Sequence, residues 1–223
     1  MTMVIAYAWQ DKVVMMADSR SSRTDKNGNV IEFEDENEKI MPVRNRFSIG
    51  HAGLRKAYLG NGEYLEMGDV TNHCLKINES TLSKLNSKQL LEGIVTTWNR
   101  TLSEKLHRNP FSLENRYCFA LGSFVENETG ELEPKIHTYQ SHFNEFQFGG
   151  RKAVIGDDAV YAIIKPYYEE DTDNWTLEET IEFYKKGFVE VMNQVETVGG
   201  PIDIFVLDTN PEKSYWLGRK PNR

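Results

Sequence analysis

The sequence predicts an α+β protein folded as a four-layer αββα sandwich, in which two β-sheets lie between two layers of helices. Strand-like and helix-like segments occur in the order strands, helices, strands, helices, strands, whereas a doubly wound parallel sheet would alternate strand and helix throughout. The first strand-like segments are apolar along nearly their whole length, which is typical of strands buried on both faces. The 223 residues contain no internal repeat and no linker, so we expect a single domain over residues 1–223.

Short apolar runs separated by polar turns predict the first group of strands. Residues 3–17 indicate two strands joined at Asp11 and Lys12, and residues 39–50 indicate a second pair hinged at Arg44-Asn45. The segment between these pairs, residues 19–38, is polar and acidic with Gly28 in its middle. It predicts a surface excursion.

Two helical regions follow. Residues 54–75 indicate a helix that contains Gly60, Gly62 and Gly68. Further along, apolar residues recur at the spacing of a helix that buries one stripe, which predicts a second helix. The residues of this stripe are Leu90, Leu91, Ile94, Val95, Trp98, Leu102 and Leu106.

The second half of the chain repeats this grouping. Strands are predicted at residues 117–125, 135–139 and 153–155, and the last of them leads into a helix through Ile164 that Pro166 helps to end. Thr176 with Glu179 three residues later forms a capping box, which predicts the start of a final helix. Two closing strands are predicted at residues 202–207 and 214–217, around a turn at Asn210-Pro211.

Composition excludes several classes of function. The net charge of -8 gives no basic footprint, so we expect neither nucleic acid nor an anionic membrane surface as a partner. No signal-like N-terminus and no apolar run near the roughly 18 residues of a membrane helix is present, so we expect a cytoplasmic protein. Cys74 and Cys118 belong to no CxxC pair, the five histidines share no metal spacing, and no phosphate-binding glycine motif occurs. We therefore expect no disulfide, metal or cofactor.

Three blocks in the first quarter of the chain carry the residues of chemical interest. Thr2 stands at the head of the first predicted strand, and the second predicted strand ends in Asp18-Ser19-Arg20. A third strand begins with Lys39. The following strand ends in Ile49-Gly50-His51-Ala52-Gly53.

These blocks resemble proteasome β-subunits and the bacterial HslV peptidase, which are N-terminal-nucleophile hydrolases. In that family a threonine opens the first strand, Asp-Ser-Arg or a similar tripeptide ends the second, and a lysine begins the third. A glycine amide in the next turn forms the oxyanion hole. Lys39 and Gly53 both fall into register with the family if residues 26–36 hold a short insertion. The resemblance implies that Thr2, Asp18, Lys39 and Gly53 are catalytic, and that Arg20 supports the site by tying loops together.

The chemistry explains why such a site uses these residue types. A threonine hydroxyl needs a base within hydrogen-bond reach, and at a chain terminus its own α-amine, with an unperturbed pKa of about 7.7–8.0, can provide it. We expect Lys39, on a strand roughly 4.8 Å away, to keep more of that amine neutral, and Asp18 to fix the ammonium. Gly53 would donate its N–H to the oxyanion. Because a peptide nitrogen is no base, Met1 must first be removed, and the small Thr2 side chain is compatible with methionine aminopeptidase.

The match to the family is incomplete near the C-terminus. The family uses a serine after the glycine that opens its third helix, and an aspartate and a serine before a pair of glycines. Here Asp157 and Val198 stand at the serine positions, and Val195 or Glu196 stands in the aspartate region. Asp157 either orients the terminal amine in place of a serine or caps a helix. Both interpretations stay open, and Glu196 is a further supporting candidate.

The leading hypothesis is a hydrolase of the threonine endopeptidase type, which cleaves peptide or amide bonds of a peptide or an unfolded polypeptide through an acyl-enzyme ester. The residues at 157 and 198 motivate an alternative, a catalytically silent proteasome-like ring or scaffold protein. A third hypothesis is a small-molecule amidase of the wider N-terminal-nucleophile group. The resemblance also implies a homo-oligomeric ring, with an ATPase partner that the sequence does not identify.

Overall fold

The computed structural model describes residues 2–24, 30–44, 46–60 and 63–218. The predictions that involve Met1, Gly28, Asn45 and Gly62 lie outside the described residues. The strands are β1 (Met3–Trp9), β2 (Lys12–Asp18), β3 (Ser21–Thr24), β4 (Val30–Glu34), β5 (Ile40–Val43), β6 (Phe47–Gly53), β7 (Lys56–Gly60), β8 (Glu63–Glu66), β9 (Tyr117–Glu126), β10 (Leu132–Gln140), β11 (Glu145–Gly150), β12 (Lys152–Gly156), β13 (Ile202–Asp208) and β14 (Tyr215–Leu217). The α-helices are α1 (Met67–Ile77), α2 (Ser87–Arg100), α3 (Asp158–Glu169) and α4 (Leu177–Gln194).

The strands form two five-stranded sheets and two hairpins. The first sheet has the order β12-β1-β2-β13-β14, and the second has the order β11-β10-β9-β6-β5. Strands β3 and β4 form one hairpin, and β7 and β8 form the other. Every pairing among the described strands is antiparallel. The predicted grouping of strands and helices is therefore confirmed, and the protein has a mixed α/β fold with antiparallel sheets.

Three clusters of buried apolar side chains hold these elements together. In one, residues of both sheets meet, for example Val4 and Met15 from the first sheet with Ala52 and Ala120 from the second. Another joins β1, β2 and β13 to α3 and α4. The remaining cluster joins β6 and β9 to α1 and α2. Each of the two sheets thus buries residues on both of its faces.

Strand β1 shows why its sequence is apolar without alternation. Met3, Ile5 and Tyr7 pack in the cluster with α3 and α4. Val4 and Ala6 point the opposite way and pack against the second sheet. The prediction of strands buried on both faces is confirmed, and this burial fixes the position of the residue that immediately precedes Met3.

The two helices with the clearest sequence signals are confirmed. The predicted capping box is present at the start of α4, where Thr176 and Glu179 exchange hydrogen bonds. Helix α2 starts with a second capping box, formed by Asn86 and Gln89, and continues into a π-helical turn at Thr101–Lys105. These caps satisfy N–H groups that the first turn of a helix leaves unpaired.

The prediction of a helix over residues 54–75 is wrong for its first part, which forms the β7–β8 hairpin before α1 begins. Lys56 lies opposite Glu66 in this hairpin, with an ion pair of 3.0 Å between them. Tyr58 lies opposite Tyr64, and their ring centroids are 5.2 Å apart. Cross-strand pairs of these two kinds stabilise a hairpin and override the local tendency toward helix.

The prediction of a surface excursion over residues 19–38 is only partly right. The segment contains the β3–β4 hairpin, and its two ends are buried rather than solvated. Ser19 and Asn37 are both buried, and the N–H of Asn37 donates to the carbonyl of Ser19 at 3.0 Å. The two ends therefore meet in the interior, next to the residues considered below.

Helix α3 does not end near Ile164 as predicted, because it continues through Pro166 to Glu169. Proline removes one backbone hydrogen bond, but tertiary contacts hold the turn that follows it. Tyr167 packs on Phe183 of α4 with 5.0 Å between ring centroids. Packing of this kind is not visible in the local sequence.

Two tyrosine hydroxyls of α3 close the free edge of strand β12. Tyr161 donates to the carbonyl of Val154 at 3.0 Å, and Tyr168 donates to the carbonyl of Lys152 at 3.3 Å. The carbonyl of Arg151 accepts from the N–H of Ala8 and so points toward β1. Successive carbonyls along a strand alternate in direction, so those of Lys152 and Val154 point away from β1. The tyrosines thus satisfy acceptors that none of the described strands reaches.

Cys74 and Cys118 are buried free thiols. In the part of the chain that the structure describes, no helix combines the length and apolarity needed to cross a membrane.

Candidate active site

Asp18 lies at the end of β2 and is fully buried, and each of its carboxylate oxygens has two partners. Oδ1 accepts from the N–H of Met3 at 2.8 Å and lies 2.9 Å from Nζ of Lys39. Oδ2 accepts from the N–H groups of Arg20 and Gly199, each at 3.2 Å. The carboxylate therefore connects the start of β1, the residue before β5 and the glycine pair near the C-terminus.

Lys39 immediately precedes β5, and its side chain is only 5% exposed. Besides the ion pair with Asp18, its ammonium donates to the carbonyl of Arg20. Burial lowers the pKa of Lys39 to about 8, while the charge of Asp18 acts in the opposite direction. Desolvation outweighs the ion pair, so this lysine loses its charge at a lower pH than an ordinary lysine does.

Thr2 is buried directly before β1, next to the residue whose N–H binds Asp18. Its carbonyl accepts from the N–H of Asp157 at 3.2 Å. Gly156 lies against the same carbonyl: a Cβ atom at position 156 would come within 2.0 Å of the Thr2 oxygen, and the φ of Gly156 is 150°. Only glycine allows this close approach, so Gly156 sets the position of Thr2.

Gly53 ends β6 with a φ of 97°. It faces Tyr117 in the ladder between β6 and β9. The N–H of Tyr117, however, donates to Oγ of Ser141, and the carbonyl of Tyr117 accepts from the N–H of Ser141. Gly53 and Tyr117 are therefore a pair without hydrogen bonds, and the N–H of Gly53 points to the other side of β6. On that side the N–H of His51 donates to the carbonyl of Lys39. The Gly53 amide is thus directed toward the side of β6 on which Lys39 lies.

Arg20 ties three segments together. Its guanidinium binds both oxygens of Asp35, at 2.7 and 2.9 Å, and this contact raises the pKa of Arg20. Nη1 donates to the carbonyl of Glu196 at 3.0 Å. The guanidinium also lies over the ring of Phe33, 4.6 Å from its centroid.

Asp157 is the N-cap of α3. Oδ1 accepts from the N–H of Ala159 at 3.1 Å, and Oδ2 accepts from the hydroxyl of Thr197 at 3.3 Å. The capping interpretation therefore matches the geometry. Its N–H also holds the Thr2 carbonyl, so the residue reaches the start of β1 through its backbone.

The segment 196–199 contributes to the site differently from the sequence expectation. The side chain of Glu196 is exposed, and the hydrogen bond of this residue to Arg20 is made through its carbonyl. Val198 is fully buried in the cluster with α3 and α4, so its side chain belongs to the core. Sequence reasoning missed Thr197, whose hydroxyl reaches Asp157. No sequence signal distinguished Thr197 from its neighbours.

The structure brings Asp18 and Lys39 into direct contact and places the N–H of Met3, the residue after Thr2, on the same carboxylate. Gly53 and Asp157 border this group through backbone atoms, and the side chain of Glu196 does not join it. Within the described ranges, no group of three or more His, Cys, Asp or Glu side chains is arranged to hold a metal ion.

Comparisons with known proteins find similarity only at the level of the fold. No family model matches the chain, and no curated protein matches it. Among solved structures, the chain is similar to the Anbu (Gly-1) mutant from Hyphomicrobium sp. strain MC1, with a TM-score of 0.68 and 14% sequence identity. The match covers 100% of this chain and 89% of that chain.

This match corrects the resemblance drawn from the sequence. Anbu is an HslV-like, proteasome-related protein from another branch, so the assignment to proteasome β-subunits or HslV is not retained. At this level of identity the likeness concerns the fold and not the activity. The chain therefore shares the fold of this Anbu structure.

Proposed function

We propose that this protein is a threonine-type peptidase or amidase whose nucleophile is the hydroxyl of Thr2. Removal of the preceding residue would free the α-amine of Thr2, which acts as the base. The α-amine of Thr2 takes the hydroxyl proton as Oγ1 attacks the substrate carbonyl. The N–H of Gly53 donates to the oxyanion that forms. The amine then protonates the leaving nitrogen, and an acyl-enzyme ester remains. Water, deprotonated by the same amine, releases the acid and restores Thr2.

One observation supports this proposal above the others. The buried ammonium of Lys39 is held by Asp18, and the same carboxylate oxygen accepts from the N–H of Met3, the residue after Thr2. A positive charge fixed beside the head of β1 would favour the neutral form of a freed amine at Thr2. This arrangement is the main support for the proposal that the Thr2 amine acts as the base.

The further properties expected from the sequence belong to the same proposal. The three core clusters support an αββα layering within one domain over residues 1–223. We propose a peptide or unfolded polypeptide as the substrate, since an extended chain can reach a nucleophile at a strand end. The homo-oligomeric ring, the ATPase partner and the cytoplasmic location rest on the fold and the composition.

The decisive experiment is intact mass spectrometry after incubation with a peptide epoxyketone, which reacts with a terminal threonine through both its hydroxyl and its amine. N-terminal sequencing first establishes which fraction of the chain begins at Thr2. That fraction should gain the mass of one inhibitor, and Thr2→Ala should gain none. Thr2→Ser, which keeps both reacting groups, is the matched control and should be labelled. A chain that begins at Thr2 and stays unlabelled would overturn the proposal.

A catalytically silent scaffold is the alternative, and two observations favour it. Val198, at a position where the family has a serine, is buried in the core, and both oxygens of Asp157 already accept hydrogen bonds, from Ala159 and Thr197. Uniform retention of Met1 in the purified protein would support this alternative. Hydrolysis of a fluorogenic peptide that disappears in Thr2→Ala would eliminate it.

A further inference from the structure

Arg55 lies two residues after Gly53, and it contacts the β3–β4 hairpin, strand β8 and the start of α1. Nη1 donates to Oγ of Ser21 at 3.1 Å and to Oε2 of Glu34 at 2.9 Å. Ser21 and Glu34 face each other at the base of the β3–β4 hairpin. The guanidinium also lies 3.6 Å from the carboxylate of Glu66, at the end of β8. The backbone carbonyl of Arg55 accepts from the first N–H of α1 at 2.7 Å.

The Ser21 hydroxyl continues this connection toward Lys39. Its oxygen accepts a second hydrogen bond, from the side-chain amide of Asn37 at 2.8 Å. Asn37 is buried, and its N–H donates to the carbonyl of Ser19. Two residues later the chain reaches Lys39. Two hydrogen bonds, Arg55 to Ser21 and Asn37 to Ser21, thus connect a residue two positions after Gly53 with a residue two positions before Lys39.

We infer that Arg55 is a positioning residue of the candidate site: it fastens the turn that carries the Gly53 amide to the base of the β3–β4 hairpin, where Lys39 is held. The inference rests on the proposed function and deepens it. In the proposed function Lys39 acts on the amine of Thr2, and Gly53 acts on the oxyanion that forms when Thr2 attacks. The two must therefore keep a fixed separation, because displacement by about 1 Å can lower a rate roughly 100-fold. Lys39 precedes β5, and Gly53 ends β6. Arg55 links the two outside the sheet.

The charge of Arg55 also acts on Lys39. The charged and titratable groups that face the Lys39 ammonium are Asp18 from β2, Asp35 after β4, His51 from β6 and Arg55 itself. The two carboxylates raise the pKa of Lys39, and Arg55 lowers it. His51 is uncharged near neutral pH, because burial lowers its pKa to about 3. Removal of the Arg55 charge should therefore raise the pKa of Lys39.

The test measures both effects without requiring catalysis. NMR titration of Nζ of Lys39 gives its pKa, and hydrogen exchange gives the protection of the Leu54 amide, which is bonded to the Arg116 carbonyl beside Gly53. In Arg55→Gln we expect the pKa of Lys39 to rise by roughly half a pH unit or more, and the Leu54 amide to exchange about 10-fold faster. Arg55→Lys should retain the pKa of Lys39.

Arg23→Gln is the matched control, because Arg23 lies on the same hairpin in an exposed ion pair with Glu32. It should change neither quantity. Ser21→Ala removes the shared hydroxyl but no charge, so it should speed exchange at Leu54 and leave the pKa of Lys39 unchanged. If Arg55→Gln fails to fold, the exchange rate of Leu54 in Ser21→Ala tests the inference in its place. Wild-type values in both Arg55→Gln and Ser21→Ala would overturn the inference.

Epoxyketone labelling connects the inference to the proposed function. Arg55→Gln should be labelled roughly 10- to 100-fold more slowly than the wild type. If the wild type itself is not labelled, the proposed function fails, while the titration and the exchange rates still decide the role of Arg55. If the wild type and Arg55→Gln are labelled at equal rates, the proposed function survives and Arg55 has no positioning role.

Discussion

The carboxylate of Asp18 and the ammonium of Lys39 meet at 2.9 Å with almost no contact with water, since their side chains are 0% and 5% exposed. Burial removes the water around both charges. Three backbone N–H groups donate hydrogen bonds to the carboxylate and replace part of the hydrogen bonding that it would have in water. A pair of this kind adds little net stability as a unit, but removal of one member leaves a buried charge without a partner.

We therefore expect Asp18→Asn to lower the free energy of unfolding by about 3–5 kcal/mol. Asp11→Asn is the matched control, because Asp11 pairs with Lys12 at 2.8 Å but has a 56% exposed side chain. The control should lose no more than about 1 kcal/mol. Urea unfolding at pH 7 measures both values. Equal losses in the two variants would mean that the buried pair behaves like a surface pair.

Lys39 should make the stability of the protein depend on alkaline pH. Its pKa is about 8 in the folded protein, below its ordinary value of 10.5, because burial opposes the charge. Between these two values the unfolded chain binds more protons, so the free energy of unfolding should rise with pH, by up to about 3 kcal/mol from this residue.

The comparison is with Lys39→Met, which has no charge to titrate. Urea unfolding at several pH values between 7.5 and 10.5 should show a steeper rise for the wild type than for the variant. Parallel curves would show that Lys39 keeps its ordinary pKa in the folded protein.

Gly156→Ala should displace Thr2. The new methyl group would lie 2.0 Å from the Thr2 carbonyl oxygen at a φ of 150°, so the start of β1 must move or the backbone must change. We expect a loss of more than about 2 kcal/mol in the free energy of unfolding. Gly93→Ala is the control: nothing lies within 4 Å of its added Cβ, and it should stabilise α2 by about 0.5–1 kcal/mol.

Asp157→Asn distinguishes the two interpretations of this residue. Asparagine is as good an N-cap as aspartate, so stability should stay within about 0.5 kcal/mol of the wild type, while Asp157→Ala should lose about 1 kcal/mol. Because both oxygens already accept hydrogen bonds from Ala159 and Thr197, we expect Asp157→Asn to be labelled by the epoxyketone within about threefold of the wild-type rate. A drop of 100-fold with unchanged stability would instead assign the carboxylate to the terminal amine.

Local signals in the sequence predicted the elements that depend on local physics. The apolar runs of β1 and β2, the apolar stripe of α2 and the capping box at Thr176 are determined by neighbours within a few residues. The hairpin β7–β8 is held by cross-strand pairs such as Lys56 with Glu66, and the end of α3 packs on Phe183 of the next helix through Tyr167. A short window cannot contain that information.

The candidate site shows the same division. Asp18 and Lys39 could be singled out because their spacing and residue type follow a family pattern, and the structure places them in contact. Thr197 and Arg55 could not, because each acts through a hydrogen bond across more than 30 residues of sequence. The burial of the Val198 side chain in the core could not be predicted either, since a position in a pattern does not reveal which way a side chain points.

The hydroxyls of Tyr161 and Tyr168 have a consequence for solubility. An open edge strand offers a template on which another chain can form a β-ladder, and such growth leads to aggregates. At the opposite edge of the same sheet, β14 spans only Tyr215–Leu217, which leaves little to extend. The double variant Tyr161→Phe/Tyr168→Phe keeps the rings and removes both donors. It should scatter more light than the wild type on prolonged incubation at equal concentration.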